Sequence, residues 1–556
     1  MKADQIIKNA KIFTSNKDYP LASALVVKDG KFVYVGDEEG LSDYEGEVTD
    51  LGGEFIMPGI FDTHCHVTIG AAFEYVDLGE YVEGETKQEA LVFMADYIRE
   101  NPGLERYRFM MERAVLGEET LTKEELDAIC SDTDLVILEG ECHSVWVNSR
   151  VLAKHGVTDD TPDPAPGLHY YVRDENGHVT GNAYECAAWP FLFDGLQENL
   201  TDEMMEAALM RWINFCKEYG ESAVFDAGFP EHNELQERFY NHLREMDRQG
   251  KLPVYIDGSY LLTDKHKVKE GIEETKRWNR AFTTEHMKVH TLKIFMDGTM
   301  KIHTAAMMEP YEGTDEAGTT MFNAEEVADL LKQLNAAGMD FHAHTVGDRA
   351  SHVILDGVEL ARKELGEDFR VKVTCCHLES QADEDLLRFA ELGVIANYTP
   401  AWHTGYSDAD VKLSDLLGEK RAVNMYRSKT VWDSGALVTW SSDDVAYYED
   451  FGTWNPYLGM EVGMTRWDNE NSKSPDFYKS SLPNPPENEK MTIEEMILGY
   501  TIKGAEQLGV EAYKGSIEAG KDADFLVFDN DLLTAEHEGF SYNMPKDVYI
   551  GGKKMK

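Results

Sequence analysis

Short apolar runs alternate with amphipathic stretches through the middle of this chain. Eight of the runs have strand length and are rich in β-branched or aromatic residues. They are Ile60–His64, Ala223–Ala227, Pro253–Gly258, Val289–Met296, Asp340–His344, Val371–His377, Val394–Tyr398 and Leu437–Ser442. Between several of them, apolar residues recur at helical spacing, as in Ala324–Ala337 and Ala382–Leu392. Eight strand–helix units in series predict an α/β fold built as a (β/α)₈ barrel, the TIM barrel architecture.

The last helix of this region has a recognisable start and stop. Thr492 and Glu495 have the spacing of a capping box, which predicts a helix that begins just after Thr492. The helical pattern runs to about Leu508, and Gly509 follows it. We therefore expect the barrel to end near residue 509.

Both chain ends show a different pattern, with short β-rich runs, turns and no helical period. Ala24–Val27 and Lys31–Val35 flank an Asp-Gly pair, which is a hairpin signal. Asp524–Asp529 is a similar run near the other end. Neither end holds enough apolar residues to fold alone. We predict that residues 1–57 and 510–556 together form one small, composite β-sandwich domain.

The predicted barrel spans residues 58–509, and its first connection is too long for a single crossover. Residues 67–200 separate the first two strands. They contain helical patterns at Lys87–Arg99 and Lys123–Ala128 and a strand pattern at Asp134–Glu139. We therefore predict an inserted subdomain beside the barrel mouth.

Composition and charge limit the partners and the location. The chain has 103 acidic and 53 basic residues and a formal charge of −50, so its surface is expected to repel nucleic acid and anionic membranes. No run of apolar residues is long enough for a membrane span or a secretory leader. The seven cysteines are irregularly spaced, which favours free thiols in a reducing compartment. These features predict a cytoplasmic protein.

A His-x-His pair lies on the first predicted strand, after a Pro-Gly break. Because side chains alternate along a strand, Asp62, His64 and His66 share one face. Two imidazoles at this spacing can bind one metal cation. The alternative is a pair of hydrogen-bonded histidines near a strand end, so further ligands are needed to support a metal site.

The ends of later strands supply such ligands. Residues at the carboxyl ends of barrel strands converge on one site, and there the chain places Lys293, His344, His377 and Asp443. Imidazole and carboxylate together suit zinc or a similar cation.

Two neighbouring residues are weighed against these ligands. His342 shares a strand face with His344 but lies further from the strand end, so we interpret it as a packed residue of the barrel interior. Asp443 and Asp444 would point to opposite sides of a strand, so one of the two is expected to face the metal.

With these residues, the chain resembles the amidohydrolase superfamily, in particular the amidohydrolase 3 subgroup that includes N-substituted formamide deformylases. The segments that carry the resemblance are Pro58–His66, His143–Ser149, Gly181–Glu185, Lys293–Gly298, His344–Ala350, Ser442-Asp443 and Gly515–Asp524. Two positions depart from the subgroup pattern. Thr-Val follows His344 where Ala-Ile is frequent, and Cys376 precedes His377 where Glu is common.

The resemblance implies one or two divalent metal ions, zinc being the metal expected. His64 and His66 would bind the more buried ion with Asp443, and His344 and His377 would bind the second. Lys293, carboxylated by CO₂, would bridge both ions. The competing interpretation is that Lys293 only forms an ion pair with Asp297 or Asp443.

The implied reaction is hydrolysis of a non-peptide C–N bond, in an amide, N-formyl or N-acyl compound, by metal-activated hydroxide. Asp443 would take the proton of the water and pass it to the leaving nitrogen. His143 and Glu185, which match subgroup motifs, are candidate substrate contacts. His303 is a candidate only because it follows strand four, and a surface histidine is an equal alternative.

Other interpretations stay open at this point. A deaminase of the same superfamily would use a single metal ion and would normally lack the lysine at the Lys293 position. A non-catalytic scaffold would be expected to have lost ligands. Trp402 and His403 either line the pocket or pack in the core. The expected partner is a small amide-type molecule, and a homodimer is one open assembly.

Overall fold

Four β-sheets, with 24 strands among the described residues, organise the chain. The computed structural model describes residues 1–117, 119–140, 143–230, 233–404, 412–445, 454–474 and 479–556. The strands are β1 (Lys2–Lys8), β2 (Lys11–Phe13), β3 (Leu21–Ala22), β4 (Ala24–Lys28), β5 (Lys31–Gly36), β6 (Glu45–Asp50), β7 (Phe55–Pro58), β8 (Ile60–Cys65), β9 (Glu80–Tyr81), β10 (Arg106–Met111), β11 (Asp134–Glu139), β12 (Ser144–Val147), β13 (Tyr170–Arg173), β14 (Val179–Tyr184), β15 (Glu221–Asp226), β16 (Tyr255–Leu262), β17 (Met287–Phe295), β18 (Asp340–Thr345), β19 (Val373–His377), β20 (Ile395–Tyr398), β21 (Val438–Trp440), β22 (Phe525–Phe528), β23 (Asp547–Ile550) and β24 (Lys553–Lys554).

The described residues also form 17 α-helices. They are α1 (Val67–Phe73), α2 (Lys87–Glu100), α3 (Lys123–Ile129), α4 (Ser149–Lys154), α5 (Trp189–Leu192), α6 (Leu196–Asn199), α7 (Asp202–Tyr219), α8 (Asn233–Arg248), α9 (Val268–Phe282), α10 (Ala324–Ala337), α11 (Asp348–Leu365), α12 (Arg388–Leu392), α13 (Leu413–Ala422), α14 (Ser428–Asp433), α15 (Pro456–Thr465), α16 (Ile493–Gly499) and α17 (Ile502–Leu508).

The central sheet is an eight-stranded parallel barrel. Its order is β21-β20-β19-β18-β17-β16-β15-β8, so strands follow one another around it in chain order. The first and last strands meet where the backbone N–H of Asp443 donates to the carbonyl of His64 at 2.8 Å and the Thr63 hydroxyl donates to the carbonyl of Trp440 at 2.7 Å. Each of the eight predicted strands is present in this sheet, and the predicted barrel fold is confirmed.

Helices around the barrel follow the sequence signals closely, with two differences. α10 has the predicted bounds, with a capping box between Asn323 and Glu326. The predicted helix from 382 to 392 is reduced to α12, because turns occupy residues 383–387. The predicted last helix is divided into α16 and α17 at Thr501, whose backbone is non-helical and whose hydroxyl donates to the carbonyl of Ile497 at 2.6 Å.

Strands from both chain ends share one sheet. Its order is β24-β23-β22-β7-β2-β3, and the order β5-β4-β1-β6 forms a second sheet. The predicted hairpin joins β4 to β5 in antiparallel pairing, and Asp29 and Gly30 both have positive φ, as a tight hairpin turn requires. Ile7, Leu25 and Phe32 of one sheet and Phe525 of the other lie in the same apolar core. The domain boundaries drawn from the sequence stay a prediction.

The first connection of the barrel carries a sheet of its own, β13-β14-β12-β11-β10-β9. One face of that sheet has a separate core that includes Phe109, Ile137 and Trp146. Val145 and Val147, on alternate positions, belong instead to the core of the barrel. The inserted sheet is therefore packed against the barrel, and this packing positions the residues at its edge.

Six cysteines of the described residues are buried free thiols, and Cys142 lies outside those residues. Among the helices of the described ranges, none has the length and apolar character needed to cross a bilayer.

Candidate metal centre

The predicted ligands converge on the carboxyl end of the barrel. β8 and the residue after it supply His64 and His66, β17 supplies Lys293, β18 and β19 supply His344 and His377, and Asp443 follows β21. Each of these side chains is buried except that of Asp443, which is 16% exposed. Parallel strands produce this convergence because their carboxyl ends lie at the same rim of the barrel.

Asp443 lies at the centre of the cluster. Its Oδ1 is 3.0 Å from His64 Nε2 and 3.3 Å from His66 Nε2, and its Oδ2 is 3.6 Å from His377 Nδ1. One ligand atom each from His64, His66 and Asp443 lies within 4.8 Å of the other two. The rings of His344 and His377 are 4.5 Å apart between centroids. Three imidazoles therefore approach the carboxylate, and the ring of His344 lies beside that of His377.

Neighbouring backbone carbonyls determine which nitrogen of each ring is available. His66 Nδ1 donates to the carbonyl of Gly228 at 3.0 Å, so its lone pair is on Nε2, the atom that faces Asp443. His344 Nε2 donates to the carbonyl of Gly298 at 3.1 Å, which leaves the lone pair on Nδ1. Such outer hydrogen bonds are the usual means of orienting metal-binding histidines.

His342 contacts a predicted metal ligand, which its interpretation as a packed interior residue did not indicate. Its Nε2 lies 2.8 Å from His64 Nδ1, and its ring stacks on Phe225 with centroids 4.5 Å apart. It also forms, with His64 and Cys376, a second group whose ligand atoms lie within 4.8 Å. His342 is a buried interior residue, as expected, but it orients His64 rather than only filling space. The two His-x-His patterns, on β8 and β18, were the only sequence signal for this contact.

Lys293 is buried, and no carboxylate among the described residues forms an ion pair with it. Its Nζ lies 3.4 Å from His64 Nε2 and 3.4 Å from Cys376 Sγ. Within the described part of the chain it makes no ion pair. Asp297, one of its proposed partners, instead accepts backbone N–H groups from Ala306, Val346 and Gly347 at 2.8–3.0 Å. An ammonium group buried in this way is poorly stabilised.

Two of the predicted ligands have strained backbone conformations. His377 has φ of 73° and Asp443 has φ of 53°, both in the left-handed region that non-glycine residues rarely adopt. Such conformations cost energy and tend to occur at functional sites. The turn at Asp443 also explains why the alternation argument for Asp443 and Asp444 applies poorly, since β21 ends at Trp440.

Electrostatics favour the metal-binding protonation states. Burial, reinforced by the charge of Lys293, lowers the pKa of His64 well below its ordinary value and that of His344 to about 3. Burial opposes ionisation of Asp443, but the neighbouring imidazoles of His377 and His66 outweigh it and bring the pKa of Asp443 well below the usual range. His64 and His344 are therefore neutral and Asp443 is ionised at neutral pH, which is the state that a cation requires.

The residues present fit a divalent metal. Nδ1 of His377 and Oδ1 of Asp443 are buried atoms without a well-formed hydrogen bond to any described residue. Four imidazoles and one carboxylate form the nitrogen and oxygen donor set that zinc and related ions prefer. The site is thus a candidate His/Asp metal site.

Two residues of the inserted subdomain extend to the barrel mouth. His143 precedes β12 and its ring centroid is 6.4 Å from that of His344. Its Nδ1 lies 2.6 Å from Oε2 of Glu185, which follows β14. Glu185 is 1% exposed, so it is a buried member of the site rather than part of an open surface.

The remaining candidates lie around this cluster. His303 is bound to Glu316 at 2.7 Å and stacks on Tyr311, so its contacts are those of a loop residue. Trp402 stacks on the ring of His377 with centroids 5.4 Å apart, which makes it a wall of the site. His403 is buried among aromatic rings and belongs to the core.

Comparison with known proteins agrees with this geometry. The model of the amidohydrolase family matches residues 47–554. The chain belongs to the amidohydrolase family. It is 24% identical over 538 residues to the N-substituted formamide deformylase of Arthrobacter pascens, covering 95% of this chain and 94% of the relative. The exoenzymes regulatory protein AepA of Pectobacterium carotovorum is 28% identical over 420 residues, covering 74% and 88%.

A solved structure shows the same fold. An uncharacterised metal-dependent hydrolase from Pyrococcus horikoshii superposes with a TM-score of 0.67 at 22% identity, covering 96% of this chain and 99% of the other. The family resemblance predicted from the sequence is confirmed. Family membership supports a hydrolase and, in keeping with it, a small-molecule substrate.

Proposed function

We propose that this chain is a metal-dependent amidohydrolase that cleaves a non-peptide C–N bond in a small amide, an N-formyl or N-acyl compound. The observation that carries the proposal is the approach of His64, His66 and His377 to Asp443 at 3.0–3.6 Å on the strand ends of the barrel. The name of the Arthrobacter relative, a deformylase of N-substituted formamides, supports the N-formyl class.

Zinc is the metal that we propose for this donor set. His64, His66 and Asp443 would hold one ion, and His344 and His377 would hold a second. A divalent metal ion bound there would lower the pKa of bound water to about 7 and would polarise the substrate carbonyl.

We further propose that Lys293 is carboxylated on Nζ, which would make it a ligand for both ions. The support is its burial beside imidazoles without an anionic partner in the described part of the chain. The neutral amine adds to CO₂ and loses one proton, which gives a carbamate. The carbamate carries a negative charge, which would match the positive charge of bound metal.

Asp443 is the residue that we propose to move the proton. Its pKa lies well below the usual range because His377 and His66 outweigh the effect of burial, so the carboxylate is ionised at neutral pH. It would take the proton of the attacking water and give it to the nitrogen that leaves, so that acid and amine are the products. Trp402, stacked on His377, would exclude bulk water from one side.

Metal analysis and a substrate panel test this function. The protein as purified is expected to contain one or two zinc equivalents, and to hydrolyse one of a panel of N-formyl, N-acyl and cyclic amides. Chelation should abolish turnover and zinc should restore it. Absence of bound metal after growth with zinc, together with no turnover of any amide, would contradict the proposal.

A lysine substitution tests the bridging role separately. Lys293→Ala is expected to lower kcat by about 10²-fold or more and to lose one metal equivalent, because the bridge holds both ions. Added acetate should restore part of the activity, since a small carboxylate can occupy the space. Lys288→Ala on the same strand is the control and should keep the metal. An increment of one CO₂ in the mass of the native protein would identify the carbamate directly.

A further inference from the structure

A histidine of the inserted subdomain is held at the barrel mouth by a carboxylate whose two oxygens are both hydrogen-bonded. His143 Nδ1 lies 2.6 Å from Glu185 Oε2, and the His143 ring is 6.4 Å from the ring of His344 between centroids. The side chain of His143 is 20% exposed, whereas that of Glu185 is 1% exposed. Between the two, His143 is therefore the one that a substrate can contact.

The second oxygen of Glu185 is bound by the barrel. Oε1 accepts the hydroxyl of Thr304 at 2.6 Å and the backbone N–H of Thr299 at 3.3 Å. Both residues lie in the segment after β17, so the carboxylate joins the insertion to the barrel. With donors on both oxygens, Glu185 is occupied on each side, and a direct role on substrate is disfavoured.

The backbone is shaped around this carboxylate. A Cβ at Gly298 would come within 2.3 Å of Glu185 Oε1 and 2.2 Å of Thr304 Oγ1, so the position accommodates only glycine. Glu185 itself has φ of 56°, a left-handed conformation that a glutamate adopts at an energetic cost. Both features restrict the position of the Glu185 carboxylate.

We propose that Glu185 is a positioning residue that acts through His143, and that His143 contacts the reacting amide through Nε2. The inference rests on the proposed function and refines it, since the sequence suggested Glu185 as a direct substrate contact. A carboxylate on Nδ1 keeps the proton on that nitrogen and fixes the plane of the ring. The segment Gly298–Thr304, which binds Glu185, then sets the position of the insertion relative to the barrel.

A double-mutant cycle tests whether Glu185 acts through His143. With 4-nitroformanilide as the probe, His143→Gln and Glu185→Gln are each expected to lower kcat about 10²-fold with KM changed little. The double variant should be no slower than His143→Gln, because residues that act as one unit are not additive. Multiplied losses in the double variant would overturn the positioning role.

Thr304 provides a conservative pair of variants. Thr304→Val removes the hydroxyl that reaches Glu185 and keeps the shape, and is expected to lower kcat about 10-fold. Thr304→Ser keeps the hydroxyl and should remain within about twofold of the wild type. Equal losses in both variants would show that packing, not the hydrogen bond, matters there, and would contradict the proposal.

A spectroscopic readout separates this inference from the proposed function. The short contact between His143 and Glu185 predicts a downfield Nδ1–H proton resonance, which should vanish in Glu185→Gln. Asp247→Asn is the matched control, because Asp247 bonds His286 Nδ1 at 2.7 Å away from the site, and it should leave both the His143 resonance and the kinetics unchanged. If no amide were hydrolysed, the proposed function would fail, whereas the resonance would still report on the pair. Persistence of the resonance in Glu185→Gln would overturn the inference.

Discussion

The two ends of the barrel use the same residue types for opposite purposes. At the carboxyl end, burial lowers the pKa of His344 to about 3, and strained backbone at His377 and Asp443 directs side chains inward. At the amino end, burial also opposes the charge of His290, but Asp257 and Asp340 outweigh it and raise its pKa to about 9. The carboxyl end holds neutral imidazole, whereas at the amino end carboxylates balance the charge of a protonated imidazole.

This difference shows how a single sheet separates catalysis from stability. At the amino end, Lys288 lies 3.2 Å from Asp257 and also donates to the carbonyl of Leu508, the last residue of α17. These contacts cover the amino end of the barrel, which forms its floor. At the mouth, His64, His66 and His377 approach the carboxylate of Asp443, an arrangement that a bound cation would complete. Substitutions at the mouth should therefore affect rate, and substitutions at the floor should affect stability.

The largest effect is expected from Asp443→Asn. The amide keeps the size of the side chain and tolerates the positive φ, but it cannot accept the proton of the attacking water. We expect kcat to fall about 10⁴-fold while the thermal midpoint stays close to that of the wild type. Steady-state kinetics and a melting curve of the same preparation measure the two quantities.

Asp444→Asn is the matched control for that substitution. Asp444 is also buried and adjacent in sequence, and its backbone carbonyl accepts the N–H of His66 at 3.0 Å. A side-chain amide leaves that backbone bond intact, so a loss well below that of Asp443→Asn is expected. Equal losses for both variants would mean that the proton transfer is assigned to the wrong carboxylate.

The sequence predicted the barrel and its ligand positions for a physical reason. Strands rich in apolar and β-branched residues can be recognised from the local sequence. The topology of parallel strands then brings His64, Lys293 and Asp443 to one rim of the barrel. The contact between His64 and His342 was harder to foresee, because it depends on how far two rings extend into the barrel interior.

The contribution of the insertion could not be derived from local patterns. Glu185 and Thr304 are separated by 119 positions and meet only because the inserted sheet packs on the barrel. Hydrogen bonds between loops of different subdomains carry no periodic signal. The motif resemblance marked Glu185 as functional, but its burial and its two partners, which suggest a different role, required the fold.

At the floor, Asp257→Asn is expected to reduce stability and spare the rate. Asp257 is 2% exposed and faces Lys288 and His290 at 3.2–3.3 Å. Removal of a buried partner leaves those charges uncompensated, so the free energy of unfolding should fall by about 3 kcal/mol. Denaturant titration measures this loss. The exposed pair of Asp329 and Lys332 offers a control, since Asp329→Asn should change stability by less than about 1 kcal/mol. A large loss of kcat in Asp257→Asn would break the separation between the two ends.

The smallest effect is a pH dependence that originates at His290. Its folded pKa of about 9 lies above the value of about 6.5 expected in the unfolded chain, so its contribution to stability is complete below about pH 6.5 and is lost as the pH rises through about 9. Wild type should therefore lose about 1–3 kcal/mol across that interval relative to His290→Asn, which lacks the titrating group. Denaturant midpoints of both proteins at the two ends of the interval give the difference, provided that the slopes agree. Parallel pH profiles for the two proteins would show that the carboxylates Asp257 and Asp340 do not hold the imidazole in its charged form. An unchanged kcat in His290→Asn would sharpen the contrast with the mouth, where the same residue type works in its neutral form.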